Sequence, residues 1–145
     1  MSTSTQTPTR LDATAIQGYF DRSPFIASLA LEVREVDHER GQLTVAAPFR
    51  PEFERGAQTR QWHGGPLAAI IDTVGDFAVG MQLGRGLPTI NFRVDYLRPA
   101  IDTDLLAVAV VRRAGKSVGT TDVDLFNDQG VLVAIGRATY STLSV

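Results

Sequence analysis

The 145-residue sequence has no cysteine, only two histidines and no cluster of lysine and arginine residues. Without cysteine the chain has no disulfide, no thiol nucleophile and no zinc site built on thiolates. His38 and His63 lie far apart, and neither belongs to a His/carboxylate group with the spacing of metal ligands, so we expect no metal. The formal net charge of -2 argues against nucleic acid as a partner, because phosphate binding needs several cations on one face.

The sequence also lacks a long apolar run. The longest fully apolar stretch, residues 105–111, is far shorter than a membrane span, so we expect no membrane partner. Residues 1–10 are rich in serine, threonine, glutamine and proline and have no apolar segment of the kind found in signal peptides. We therefore expect a disordered tail over 1–10, a single domain over 11–145 and a cytoplasmic location.

The most informative segment is an apolar run with one carboxylate, Asp72, in its middle. Apolar residues recur through residues 67–81 at the spacing of a helix, and small residues occupy much of the remaining surface. Pro66 suits the first turn, and the glycines and proline of residues 84–88 supply the stop. The pattern predicts a long, nearly enclosed central helix that begins at the His63-Gly64-Gly65 segment.

The predicted helix brings two chemical features together. Removing an ionised carboxylate from water costs several kcal/mol unless it is paired, so Asp72 is a candidate functional residue. The N–H groups of Gly64 and Gly65 point out of the helix N-terminus, where the helix dipole favours negative charge and a developing oxyanion could sit. His63 is either a capping residue or part of the site.

The remaining pattern indicates an α+β fold with one long helix on one face of an antiparallel sheet. Alternation of apolar and polar residues, broken by glycine, asparagine and aspartate, predicts strands and hairpins. The predicted order is a short amphipathic helix (11–20), a hairpin (29–36 and 43–49), a loop (50–62), the long helix, and an antiparallel meander (89–97, 104–113, 118–126 and 131–140).

Two stretches resemble the hotdog-fold acyl-CoA thioesterases, most closely the phenylacetate-pathway branch. One is His63-Gly64-Gly65-x6-Asp72-Thr73, and the other is Thr89-Ile90-Asn91-Phe92-Arg93-Val94-Asp95-Tyr96-Leu97-Arg98-Pro99. The resemblance extends over about residues 29–140. It implies an antiparallel sheet wrapped around a long central helix, and a homodimer with a continuous sheet and active sites at the protomer interface. It leaves a tetramer of paired dimers open.

The resemblance also implies a reaction and its residues. The substrate is an acyl-CoA, which is hydrolysed to the free acid and coenzyme A, so coenzyme A is part of the substrate and no other cofactor is implied. Asp72 corresponds to the catalytic carboxylate, acting as general base or nucleophile. The Gly64 N–H corresponds to the donor to the thioester carbonyl, with His63 shaping the turn. Thr89 corresponds to the hydroxyl residue that orients the water or the acid.

Substrate contacts are expected from the helix start and from the loop before it. Gly65 belongs to the first turn, and Phe53 and Trp62 are candidate walls of the acyl pocket. Lys116, in a turn that resembles the family's, is a candidate contact for the phosphates of coenzyme A.

The sequence departs from the family in two places. Relatives usually carry an asparagine about six residues before the histidine, where this chain has Ala57, and Gln58 and Gln61 are the nearest amides. Asp76 stands where relatives often have glycine, so it either adds negative charge to the pocket or faces solvent.

Two other functions remain open at this stage. A hydratase or dehydratase acting on acyl thioesters would use a histidine and an acid as a pair across the substrate, and His63 and Asp72 are the candidates. A non-catalytic acyl-CoA-binding protein is consistent with Ala57 in place of the usual asparagine.

Overall fold

The computed structural model describes residues 7–144 and contains three α-helices and six strands. Residues 1–6 of the predicted tail lie outside the described residues. The helices are α1 (Ala13–Arg22), α2 (Pro24–Ser28) and α3 (Gly64–Leu83), and a 3₁₀ turn spans Pro51–Phe53. The strands are β1 (Glu32–Asp37), β2 (Gln42–Ala47), β3 (Thr89–Tyr96), β4 (Leu105–Ala114), β5 (Val118–Asn127) and β6 (Leu132–Ser141). None of the described helices has the length and apolar character needed to cross a membrane.

The strands form one antiparallel sheet in the order β1-β2-β4-β5-β6-β3. The expected meander is correct for β4, β5 and β6 but wrong for β3, which pairs with β6 at the edge of the sheet. The reason is that α3 crosses the sheet between β2 and the opposite edge, where β3 lies. The connection after β3 then brings the chain back to the centre, where β4 pairs with β2. The long edge strand β3 is therefore left without a partner on one side within the described chain.

The long helix α3 packs on one face of this sheet, which confirms the predicted α+β arrangement. Ile70, Ile71, Val74 and Met81 are fully buried between the helix and the sheet. Gly84 ends the helix in a left-handed conformation with φ of 77°, as the predicted stop requires.

Close approach of α3 to β6 depends on a glycine in the helix. A Cβ atom at Gly75 would lie 2.5 Å from the Tyr140 hydroxyl oxygen, which is too close for any side chain. The same hydroxyl donates a hydrogen bond of 2.6 Å to the carbonyl oxygen of Asp72. This contact fixes the height of Asp72 along the sheet.

The first part of the chain contains one predicted helix and one that was not predicted. Asp12 caps α1 by accepting the Ala15 N–H at 2.8 Å, and Phe20 packs edge-on against Phe77 of α3 with ring centres 5.2 Å apart. Helix α2 follows a Ser23 cap and begins with Pro24. A capping serine followed by proline is a helix-start signal. Because α2 extends to Ser28, β1 begins at Glu32 and not at residue 29 as predicted.

Candidate active site

His63 is the N-cap of α3. Its Nδ1 atom accepts the Gly65 N–H at 3.0 Å, and its own N–H donates to the Phe53 carbonyl at 2.7 Å. An accepting Nδ1 requires the neutral ring with its proton on Nε2. The expectation that the Gly65 N–H is free is therefore wrong, because the histidine side chain occupies it.

Gly64 supplies the free donor at the start of α3. Within residues 7–144 its N–H has no hydrogen-bond acceptor, and its carbonyl accepts the Tyr96 hydroxyl at 2.7 Å. A Cβ atom at this position would lie 3.2 Å from the Tyr96 ring, so glycine permits the contact between the helix start and β3. The N–H is aimed along the helix axis, where the dipole stabilises negative charge.

A cleft of about 620 Å³ opens at this end of the helix. Gly64 and His63 form one side of it, and the segment that follows β3 forms the other. Apolar and cationic side chains share the lining, which includes Arg55, Trp62, Leu67, Tyr96, Arg98 and Ile101. The cleft thus combines an apolar wall with positive charge next to a free backbone donor.

Trp62 is the fixed wall of this cleft. It is only 4% exposed, and its Nε1–H donates to the Thr103 carbonyl at 2.8 Å. Phe53 stacks on its ring with centres 5.5 Å apart, but Phe53 is not among the cleft-lining residues. The expected pair of walls is thus one wall, Trp62, with Phe53 supporting it.

The loop before the helix separates the two candidate amides. Gln61 lines the cleft, whereas Gln58 lies at the exposed tip of a turn closed by the Thr59 N–H on the Gly56 carbonyl at 3.1 Å. Gln58 has a φ of 65°, in the left-handed region. Gln58 is not among the residues that line the cleft, so its contact with substrate stays a prediction, and Ala57 is exposed as well.

Asp72 and Thr89 form the second half of the site. The Thr89 hydroxyl donates to Asp72 Oδ1 at 2.8 Å, so the structure brings together the acid and the hydroxyl that the motif singles out. Asp72 is half-buried rather than enclosed, because β3 at the edge of the sheet leaves one side of it open. An accessible carboxylate held by one hydroxyl is suited to accept a proton from water.

Asp76 lies one helical turn beyond Asp72 and does not face solvent. Its Oδ1 accepts the Leu87 N–H at 2.7 Å, and the residue is half-buried. Burial raises the pKa of Asp76 to about 7; the Leu87 hydrogen bond opposes this shift, and the charge of Asp72 adds to it. The carboxyl is therefore held against the returning chain, and its raised pKa opposes the added negative charge that the sequence left as one alternative.

The two halves of the site are far apart in one chain. Gly64 and Asp72 are eight residues apart in a continuous helix, which corresponds to about 12 Å along its axis. Lys116 lies in the turn between β4 and β5, at the end of the sheet where Tyr140 pairs with both Gly119 and Thr89. Within residues 7–144 no three His, Asp or Glu side chains are grouped to hold a metal ion.

Apolar side chains of β3 project from the open edge of the sheet. Ile90, Phe92 and Tyr96 are 57%, 39% and 53% exposed, although their alternation predicts a buried face. The alternation is present, but α3 covers only part of that face. A long, apolar and unpaired edge strand is a template for pairing with another chain.

The sequence and fold match known proteins. Residues 61–134 match the family model described as the thioesterase superfamily. The chain is 30% identical over 132 residues to the medium/long-chain acyl-CoA thioesterase YigI of Escherichia coli, which covers 81% of this chain and 84% of that protein. It is 31% identical over 109 residues to the acyl-coenzyme A thioesterase PaaI of Escherichia coli, covering 74% of this chain and 76% of that protein.

A solved structure shows the same fold. The X-ray structure of a protein from the thioesterase superfamily is similar to this chain with a TM-score of 0.83 and 33% sequence identity, covering 89% of this chain and 96% of that one. The matched family segment contains both halves of the site described above, from His63 to Thr89.

Proposed function

The chain belongs to the thioesterase superfamily, and from this premise we propose that it is an acyl-CoA thioesterase that hydrolyses a fatty or aromatic acyl-CoA to the free acid and coenzyme A. The observation that carries the proposal is the 2.8 Å hydrogen bond from the Thr89 hydroxyl to Asp72, because these are the two residues suited to activate water. The relatives YigI and PaaI, which are named acyl-CoA thioesterases, support the reaction class.

In the proposed reaction Asp72 removes a proton from water while the water oxygen attacks the thioester carbonyl carbon. The carbonyl oxygen becomes negative and accepts the Gly64 N–H at the positive end of α3, a contact that contributes about 10²–10³ in rate. When the carbonyl re-forms, the C–S bond breaks and the thiolate takes the proton from Asp72. If Asp72 instead attacks the carbonyl carbon, the C–S bond breaks, the thiolate leaves and a mixed anhydride forms. Water then opens the anhydride, which releases the acid, restores the Asp72 carboxylate and supplies the proton for the thiolate.

The distance between the two halves supports a site shared by two copies of the chain. About 12 Å of helix separates Gly64 from Asp72, so one thioester group cannot reach both in the same protomer. Pairing of two β3 strands across a two-fold axis would continue the sheet and cover Ile90 and Phe92. In the proposed homodimer, Gly64 of one protomer polarises a thioester that Asp72 of the other attacks with water.

Replacing the carboxylate tests this function. The Asp72→Asn variant should lose about 10³-fold in kcat, because an amide does not accept the proton of water at neutral pH, and should keep the fold. Release of the free thiol is measured with short, long, hydroxylated and phenylacetyl-type acyl-CoA. Asp128→Asn, at an exposed turn, serves as the matched control and should match the parent enzyme. Turnover by Asp72→Asn within tenfold of the parent would refute the role of Asp72.

The same assay separates the alternatives. A parent protein that binds acyl-CoA but releases no thiol from any member of the panel would be a binding protein. The hydratase reading has less support, because His63 Nδ1 accepts the Gly65 N–H and the ring thereby acts as the cap of α3. Formation of an enoyl thioester, followed in the ultraviolet, would restore that reading.

A further inference from the structure

The turn between α3 and β3 is anchored on two sides. On the side of the sheet, the Ser141 N–H donates to the Pro88 carbonyl at 2.9 Å. On the side of the helix, the Leu87 N–H donates to Asp76 Oδ1 at 2.7 Å. The second anchor ties Leu87 to the helix that carries Asp72, and the Arg85 N–H adds a bond of 3.2 Å to the Gly80 carbonyl near the end of that helix.

The spacing of helix and strand makes the two side-chain contacts work as a pair. Asp72 and Asp76 are one turn apart, which is about 6 Å for four residues of helix. Their partners Thr89 and Leu87 are two residues apart, which is about 6.6 Å of extended chain. The distance between the two aspartates on the helix thus matches the distance between their partners on the extended chain. When Asp76 holds the Leu87 N–H, the Thr89 hydroxyl is therefore placed next to the Asp72 carboxylate.

Glycines let the turn lie against the helix at this point. A Cβ atom at Gly80 would collide with the Arg85 carbonyl oxygen, and one at Gly86 would lie 3.3 Å from Phe77 and 3.8 Å from Asp76 Oδ2. The Asp76 carboxyl is thus packed between the helix and the returning chain. Leu87 itself is buried, so its N–H needs an acceptor that water does not provide.

On the basis of the proposed function, we propose that Asp76 is a positioning residue that holds the Leu87 N–H so that the Thr89 hydroxyl stays on the catalytic Asp72. Asp76 does not touch the reacting atoms in this proposal. Its effect reaches the reaction only through Thr89. Burial and the neighbouring Asp72 both disfavour its charge, and a carboxyl retained against those effects is consistent with this anchoring role.

The test is a double-mutant cycle between Asp76 and Thr89 in the thiol-release assay. Asp76→Ala should lower kcat about 10- to 100-fold with KM within about twofold, because the misplaced hydroxyl affects the chemical step more than binding. Asp76→Asn keeps an oxygen acceptor and should recover kcat to within about threefold of the parent enzyme. In the Thr89→Ala background, Asp76→Ala should cause no further loss. Asp128→Ala is the matched control.

If the fold loss in kcat of the double variant equals the product of the losses of Asp76→Ala and Thr89→Ala, the proposal is overturned. A kcat of Asp76→Ala equal to the parent value would also overturn it. Hydrogen exchange of the Leu87 amide gives a second readout, which does not depend on activity and can be measured in the parent protein itself. The proposal predicts slow exchange in the parent protein and an exchange rate that rises at least about tenfold in Asp76→Ala. Fast exchange in the parent protein would overturn the anchor even if Asp76→Ala did not fold. A parent protein without thioesterase activity would instead refute the proposed function, and the amide exchange would still decide the contact.

Discussion

The surroundings of Asp76 disfavour the ionised form of its carboxyl group. Its pKa of about 7 lies above the value of 3.8 for a solvated aspartate, mainly because the folded chain removes the carboxyl from water. Below about pH 4 the group is neutral in both folded and unfolded chains. Between about pH 4 and 7 the folded chain binds the proton more tightly, so the contribution of Asp76 to stability falls as pH rises and is constant above this range.

Asp76→Asn should therefore change stability in a pH-dependent manner. The variant keeps an acceptor for Leu87 and has no charge to desolvate, so it should be more stable than the parent protein by about 2–4 kcal/mol at pH 8 and nearly equal to it at pH 4. Urea unfolding at both pH values measures the difference. A difference that is the same at pH 4 and pH 8 would show that the charge of Asp76 carries no such cost.

The sequence identifies some residues of the site better than others. Asp72 and Thr89 stand out because an acid in an apolar helix and a hydroxyl at a strand start need a reason, and the structure joins them. The position of Gln58 does not follow from the sequence, since it depends on a left-handed conformation at a residue that is not glycine. Tyr96, whose hydroxyl donates to the Gly64 carbonyl, is not among the predicted site residues, because alternation predicts a strand but not which of its side chains reach the helix start.

Among the elements, α3 is predicted best and β3 least. Helix α3 has a cap, a long apolar period and a glycine stop, and each signal is local in sequence. The alternation in β3 correctly predicts a strand, but its partner strand is set by long-range pairing that no local pattern contains. Helix α2 was missed although Ser23 and Pro24 mark its start, because its five residues are too short to show a helical period.

A charge on the open face of β3 should separate the proposed dimer. Phe92→Asp places a carboxylate in the surface that the second copy would cover, and burying that unpaired charge costs several kcal/mol. Sedimentation should show a dimer for the parent protein and a monomer with low activity for the variant. Phe25→Asp, on the exposed side of α2, is the matched control and should remain dimeric. A monomeric parent protein with full activity would contradict the shared site.

At the scale of the whole molecule, each protomer of the proposed dimer contributes one half of each of two active sites. Each protomer carries a donor at the start of α3 and a base near its middle, and the fold keeps them about 12 Å apart. The sheet order leaves β3 at an edge, where a second copy would continue the sheet and bring each donor to the other base. Eight residues on a predicted helix give the same separation from the sequence. The edge position of β3 does not follow from the sequence pattern, because it depends on long-range strand pairing.

Mixing two inactive variants tests this account most directly. Asp72→Asn removes the base, and Gly64→Pro removes the N–H donor at a first helical position, which suits proline once the Tyr96 side chain, 3.2 Å from a Cβ placed there, shifts by a few tenths of an ångström. Each variant alone should hydrolyse acyl-CoA at least about 10²-fold more slowly than the parent enzyme. After unfolding and refolding together in equal amounts, half of the dimers are mixed and each mixed dimer contains one intact site, so activity should return to about 25% of the parent value. No recovery of activity, with mixed dimers present in solution, would contradict the proposal that Gly64 and Asp72 of different protomers act on one thioester.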